Sequence, residues 1–144
     1  MRFLVIAVVL LAFTGAPAQA SDYGSATVTR VTSVYDGDTF RADIEGWPPI
    51  IGERIPIRVK GADTPEIRGK CEEEKRQARL AKQYTVAALR GAEVIELEAI
   101  ERGKFFRIAA RVMIDGKDLA PGLIQAGLAR PYDGGSRKGW CPFK

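Results

Sequence analysis

Hydrophobic and polar residues alternate most plainly along two short stretches in the first half of the chain. In Thr39 to Ile44 the apolar positions are Phe40, Ala42 and Ile44, and in Arg54 to Lys60 they are Ile55, Ile57 and Val59. A period of two predicts strands with one buried face, and it sends Arg58 out from the opposite face of the second. An earlier strand is predicted over Ala26 to Val34. A helix follows over Cys71 to Leu89, where Ala78, Ala81, Thr85, Ala88 and Leu89 recur at helical spacing and Gly91 lies just beyond the end. Glu72, Glu73 and Glu74 suit the positive end of that helix and are read as solvated surface. Two more strands are predicted, Glu93 to Ala99 and Phe106 to Ile114, followed by an Asp115-Gly116 turn. A short helix then starts near Asp118, whose side chain caps it, and ends at Gly127. The tail after Tyr132 is read as irregular.

The pattern has a chemical consequence. If the strands over 39–44 and 54–60 pair antiparallel around a Gly46 to Gly52 turn, their far ends become neighbours. Asp36-Gly37-Asp38-Thr39 then lies beside Asp63-Thr64-Pro65-Glu66, with the Arg58 guanidinium close by. Carboxylates gathered in this way repel one another unless a cation holds them, which points to a divalent metal. Asp38 and Asp63 are the candidate metal carboxylates, and Asp36 is placed to orient them. An EF-hand is excluded, because the twelfth position counted from Asp36 is Trp47. The chain contains no histidine. That removes serine triads, ribonuclease-type histidine pairs and histidine-ligated zinc. A phosphodiesterase without histidine must activate water with a carboxylate and a metal.

The ordered set of Asp36-Gly37-Asp38-Thr39, Arg58, Asp63-Thr64-Pro65-Glu66 and Gly103-Lys104-Phe105-Phe106-Arg107 resembles the thermonuclease family, the staphylococcal or micrococcal nuclease type. Gly127-Leu128-Ala129 is similar to the end of that family's following helix, and the likeness runs over roughly residues 25 to 132. The resemblance implies an α+β fold, a five-stranded OB-type β-barrel with two to three helices. It implies Ca²⁺ as cofactor, with the Thr64 carbonyl joining Asp38 and Asp63 as ligands, and a hard oxygen shell of this kind suits that ion. Glu66 takes the part of general base. Arg58 and Arg107 are the catalytic arginines, each able to give paired hydrogen bonds to phosphate oxygens. The implied reaction is hydrolysis of DNA and/or RNA to products with 3′-phosphate ends. Tyr132 lies near a substrate-stacking tyrosine of the family and reads equally as a barrel-edge aromatic. Arg68 and Lys70, after Glu66, are candidate phosphate contacts. One departure concerns the turn before Arg107. Phe106 stands where the family commonly has glycine, and it adopts a positive φ less cheaply, so a different turn geometry is expected.

Residues 1–20 read as a signal peptide: Arg2, an apolar run from Phe3 to Phe13, and a small-residue cleavage site at Ala18-Gln19-Ala20. Removing them from the 144 residues leaves a single domain over 21–144, with no membrane span after cleavage. Arg2 goes with the leader and no acidic residue does, so the net charge falls from +4 to +3. Mild basicity suits a polyanionic partner but equally serves solubility. The expected location is secreted or periplasmic, and the expected state a monomer. In an oxidising compartment the two cysteines, Cys71 and Cys141, are expected to pair and to staple the tail to the domain. Two thiols without histidine fall short of a zinc site. The alternative to a nuclease is a non-catalytic OB-fold protein, either a nucleic-acid binder or a cell-envelope accessory. A degenerate binder of this family would be expected to lack Glu66 or one of the arginines, and all three are present.

Overall fold

The computed structural model describes residues 22–142; the expected leader lies outside them. In chain order the elements are β1 (Ala26–Val34), β2 (Thr39–Ile44), α1 (Pro49–Gly52), β3 (Ile55–Val59), β4 (Gly61–Asp63), α2 (Glu72–Gly91), β5 (Ile95–Arg102), β6 (Ile108–Ile114), β7 (Lys117–Asp118), α3 (Leu119–Gln125) and β8 (Arg130–Tyr132). Strands β3, β2, β1, β5 and β6 pair in that order, and a parallel pairing of β3 with β6 closes the sheet into a barrel. The five-stranded OB-type barrel expected from the sequence is therefore the fold of the protein.

The alternating residues fill the interior. Phe40, Ala42 and Ile44 from β2, Ile57 and Val59 from β3, Leu97 from β5, and Ala110 and Val112 from β6 are all buried. Closure matters because every barrel strand then finds two neighbours, which removes exposed edges. The antiparallel register of β2 and β3 sets Thr39 opposite Arg58, so the two acidic turns meet at one end of the barrel.

Helix α2 covers that end. It buries Glu74, Ala78, Ala81, Thr85 and Leu89, a stripe at helical spacing. Small alanines let the helix approach the 36–38 turn closely. A Cβ on Gly37 would lie 2.7 Å from both Ala81 Cβ and Thr64 Cγ2, so only glycine fits there. Thr85 Oγ1 donates to the Gly37 carbonyl at 2.6 Å and fixes the turn to the helix. Helix α3 begins where expected, with the Asp118 carboxylate accepting from Ala120 N–H at 3.0 Å.

Three expectations are corrected and one further element is found. The segment 46–52 is more than a turn, since it includes the short helix α1 with proline at its start. Strand β6 begins at Ile108, so Phe106 is on no apolar strand face; Phe105 and Phe106 form an exposed turn before Arg107. Glu74 is buried, unlike Glu72 and Glu73, because its carboxylate accepts from the N–H groups of Lys70 (2.9 Å) and Glu66 (3.5 Å). The ribbon of β4 and β8, which sets Asp63 against Arg130 and Gly61 against Tyr132, had no periodicity to announce it.

Candidate active site

The site stands where the β2–β3 strand ends, the β4–β8 ribbon and the head of α2 converge. Asp38 is fully buried, and both of its carboxylate oxygens are engaged. Oδ1 meets Arg58 Nη1 at 2.6 Å and accepts from Thr39 Oγ1 at 3.0 Å. Oδ2 accepts from the Thr64 N–H at 2.8 Å and from Thr64 Oγ1 at 3.0 Å. The second nitrogen of Arg58 reaches Asp63 Oδ1 at 3.1 Å. One planar guanidinium thus bridges the two acidic turns, a task its fork geometry allows and an ammonium cannot match.

Asp36 is buried behind them, and its carboxylate accepts from the Asp38 N–H at 3.1 Å. Burial, and then the neighbouring Asp38 charge, push its pKa up to about 7 despite that hydrogen bond.

A cavity of about 330 Å³ opens beside these groups, lined by Tyr35, Asp36, Thr39, Arg58, Glu66, Arg107, Tyr132 and Arg137. The cavity brings together Arg58, Glu66 and Arg107, the last far from the other two in the sequence. Arg107 Nε is buried and, among the described residues, has no hydrogen-bond partner. A buried donor left unpaired is costly, and an acceptor entering the cavity would relieve it. Arg68 and Lys70 are exposed and do not line the cavity. Tyr132 does line it, with its hydroxyl donating to the Gly135 carbonyl at 2.9 Å.

The profile of the family described as staphylococcal nuclease homologue matches residues 56–138. The chain belongs to this family. Its members are generally nucleases, and the matched segment carries Arg58, Asp63, Thr64, Glu66, Arg107 and Tyr132. A comparison with curated proteins finds no match for this chain.

Calcium is the metal typical of the family. Asp63, the Thr64 carbonyl and Glu66 all accept hydrogen bonds from a single guanidinium, that of Arg137. Three oxygen donors therefore converge on one cation. Hard oxygen donors of this kind, two of them carboxylates, fit a divalent ion such as Ca²⁺.

Three residues of the site escaped sequence reasoning. Arg137 is one; Trp140, whose Nε1 lies 3.4 Å from Asp63 Oδ2, is the second; Glu74 is the third. One clue was available. Cys71 follows Glu66 by five positions, so pairing it with Cys141 obliges the tail to pass the site. The Cys71–Cys141 disulfide is present, with a Cα–Cα distance of 6.0 Å. Cys71, Glu74 and Cys141 cluster closely, but both sulfurs are spent on the bridge.

Proposed function

We propose that this protein is an exported, calcium-dependent nuclease that hydrolyses phosphodiester bonds of DNA and/or RNA and leaves 3′-phosphate ends. The observation that carries this reading is the cavity shared by Arg58, Arg107 and Glu66, with the Arg107 Nε donor buried and unpartnered among the described residues.

A phosphodiester entering the cavity places its oxygens against Arg58 and Arg107. Both can hold them through paired N–H groups. Charge on the phosphoryl oxygens grows during attack by water, so donors already aimed at that position favour the transition state over the ground state. Glu66 faces the same cavity and takes the proton from the attacking water. The water oxygen bonds to phosphorus, the bond from phosphorus to the 5′-oxygen breaks, and the leaving oxygen takes up a proton. Asp38, Asp63 and the Thr64 carbonyl would hold Ca²⁺, whose chemistry here is positive charge against the phosphate. Asp36 supports Asp38 through the hydrogen bond to its N–H. The disulfide and the leader-like residues 1–20 support export. No helix among the described residues is long and apolar enough to cross a membrane.

The deciding test is degradation of plasmid DNA and of RNA by the purified chain with and without Ca²⁺. Cleavage is expected only with the ion. Undiminished cleavage in excess EGTA overturns the reading, and end-labelling that finds 5′-phosphates overturns the assigned bond.

A further inference from the structure

The segment after β8 returns across the cavity. Arg130 donates to the Gly139 carbonyl at 3.0 Å, and its guanidinium lies 3.8 Å from the centre of the Trp140 ring. Beyond Trp140 the chain is bonded through Cys141 to Cys71 at the head of α2. The eight residues from Asp133 to Trp140 are thus tethered at both ends, by β8 and by the disulfide. Arg137 sits between the two tethers.

Its contacts are specific. Nε and Nη2 bond Asp63, Nη1 bonds Glu66, and Nη2 also reaches the Thr64 carbonyl at 3.3 Å. The contrast with Arg107 decides what this means. A guanidinium waiting for phosphate leaves a donor open, as Arg107 Nε does. Arg137 instead commits all three of its nitrogens to the very oxygens assigned above to calcium and to the general base.

We propose that residues 133–141 form a strap that competes with the divalent cation, Arg137 taking the oxygens of Asp63, Thr64 and Glu66 while the Cys71–Cys141 bridge keeps it over them. The inference rests on the calcium reading of the same site. Two cations cannot share these oxygens without strong repulsion, so loading the metal requires Arg137 to withdraw. Apparent metal affinity then falls by the fraction of molecules in which the strap has lifted. Gly134 and Gly135, at φ +111° and +86°, give the segment backbone conformations open mainly to glycine. Cutting the disulfide frees one end of the strap and lowers the effective concentration of Arg137 at the site.

The test measures Ca²⁺ binding rather than turnover. Calorimetry is run on the oxidised full chain and on Arg137→Gln, Cys141→Ser and Asp63→Asn. The emission of Trp140 is followed in a Trp47→Phe background, which leaves it the sole tryptophan. Arg137→Gln is expected to bind Ca²⁺ at least about tenfold more tightly. Cys141→Ser, and reduction of the wild type, leave the charge of the strap unchanged and are expected to tighten binding as well. Ca²⁺ should shift Trp140 emission with the midpoint found by calorimetry, and Asp63→Asn should lose binding. Equal affinity in wild type and Arg137→Gln, with Asp63→Asn silent, overturns the strap and leaves the calcium site standing. Tightening in Arg137→Gln alone, with Trp140 emission constant, reduces the effect to charge removal and also overturns it. Absence of binding in every form overturns the strap and the calcium reading together.

Discussion

Arg58 and Asp38 form a 2.6 Å ion pair at the end of the barrel where the two acidic turns meet, with the arginine side chain 14% exposed and the aspartate 1%. The pair is a consequence of strand register, since Thr39 lies opposite Arg58 and Asp38 is the residue before it. Because Arg58 also holds Asp63, its structural role and the catalytic role proposed for it fall on one side chain, and variants must separate them.

Arg58→Lys keeps the charge but cannot span both aspartates, so it is expected to lower the melting temperature as well as the rate. Among the described residues Glu66 has its charged partner only in Arg137, and it is about a third exposed, so Glu66→Gln should fold normally. In each variant kcat should fall far more than KM rises, for Arg58→Lys by about 10²- to 10³-fold. Steady-state kinetics beside thermal melts check this. Near-normal turnover in both folded variants would leave a basic barrel that binds nucleic acid without cutting it.

Gly37→Ala puts a methyl group into space already held by Ala81 and Thr64. Neither the barrel end nor α2 can yield without moving Asp36 or Asp38. A destabilisation of about 2 kcal/mol is expected, with weaker calcium binding alongside it. Unchanged denaturant midpoints and calcium affinity would show that the turn has more room than its neighbours allow.

Phe105 and Phe106 adopt φ of +57° and +59°, a left-handed conformation that bulky residues avoid. The aromatic side chain therefore does not prevent Phe106 from taking the positive φ that glycine adopts freely. Both rings are almost wholly exposed, at 92% and 81%, so packing does not offset the strain. Phe106→Gly should stabilise the protein by about 1 kcal/mol. A lower melting temperature in this variant would mean that the ring makes a stabilising contact.

Asp36 links stability to pH in the chelated protein. Its carboxyl has a pKa raised to about 7 in the fold against 3.8 as a free side chain. Below 3.8 it is protonated in both states. Between those values only the unfolded chain gives up the proton, so stability falls as pH rises, and above about 7 the loss is complete. Melts in excess chelator across this window should show the decline, and Asp36→Asn should flatten it. Parallel curves for the two proteins would remove Asp36 from the linkage.

The local elements were written in the chain. Strands β1 and β2 follow the expected bounds, and α2 and α3 start where acidic and capping residues predict. These were legible because period-two and helical spacing are local properties, and because each apolar stripe needs one buried face. The meeting of Asp38, Arg58 and Asp63 was also legible, since one hairpin register brings them together. Tertiary structure alone decided the rest. The parallel pairing of β3 with β6 joins segments separated by β4, α2 and β5, and no local pattern encodes it. Glu74 reads like its two acidic neighbours until the backbone of residues 66–70 turns its N–H groups toward it. The tail has no periodicity at all. Its course over the site is set by one disulfide and a few single side-chain contacts, and such long-range contacts exist only once the barrel has placed their partners.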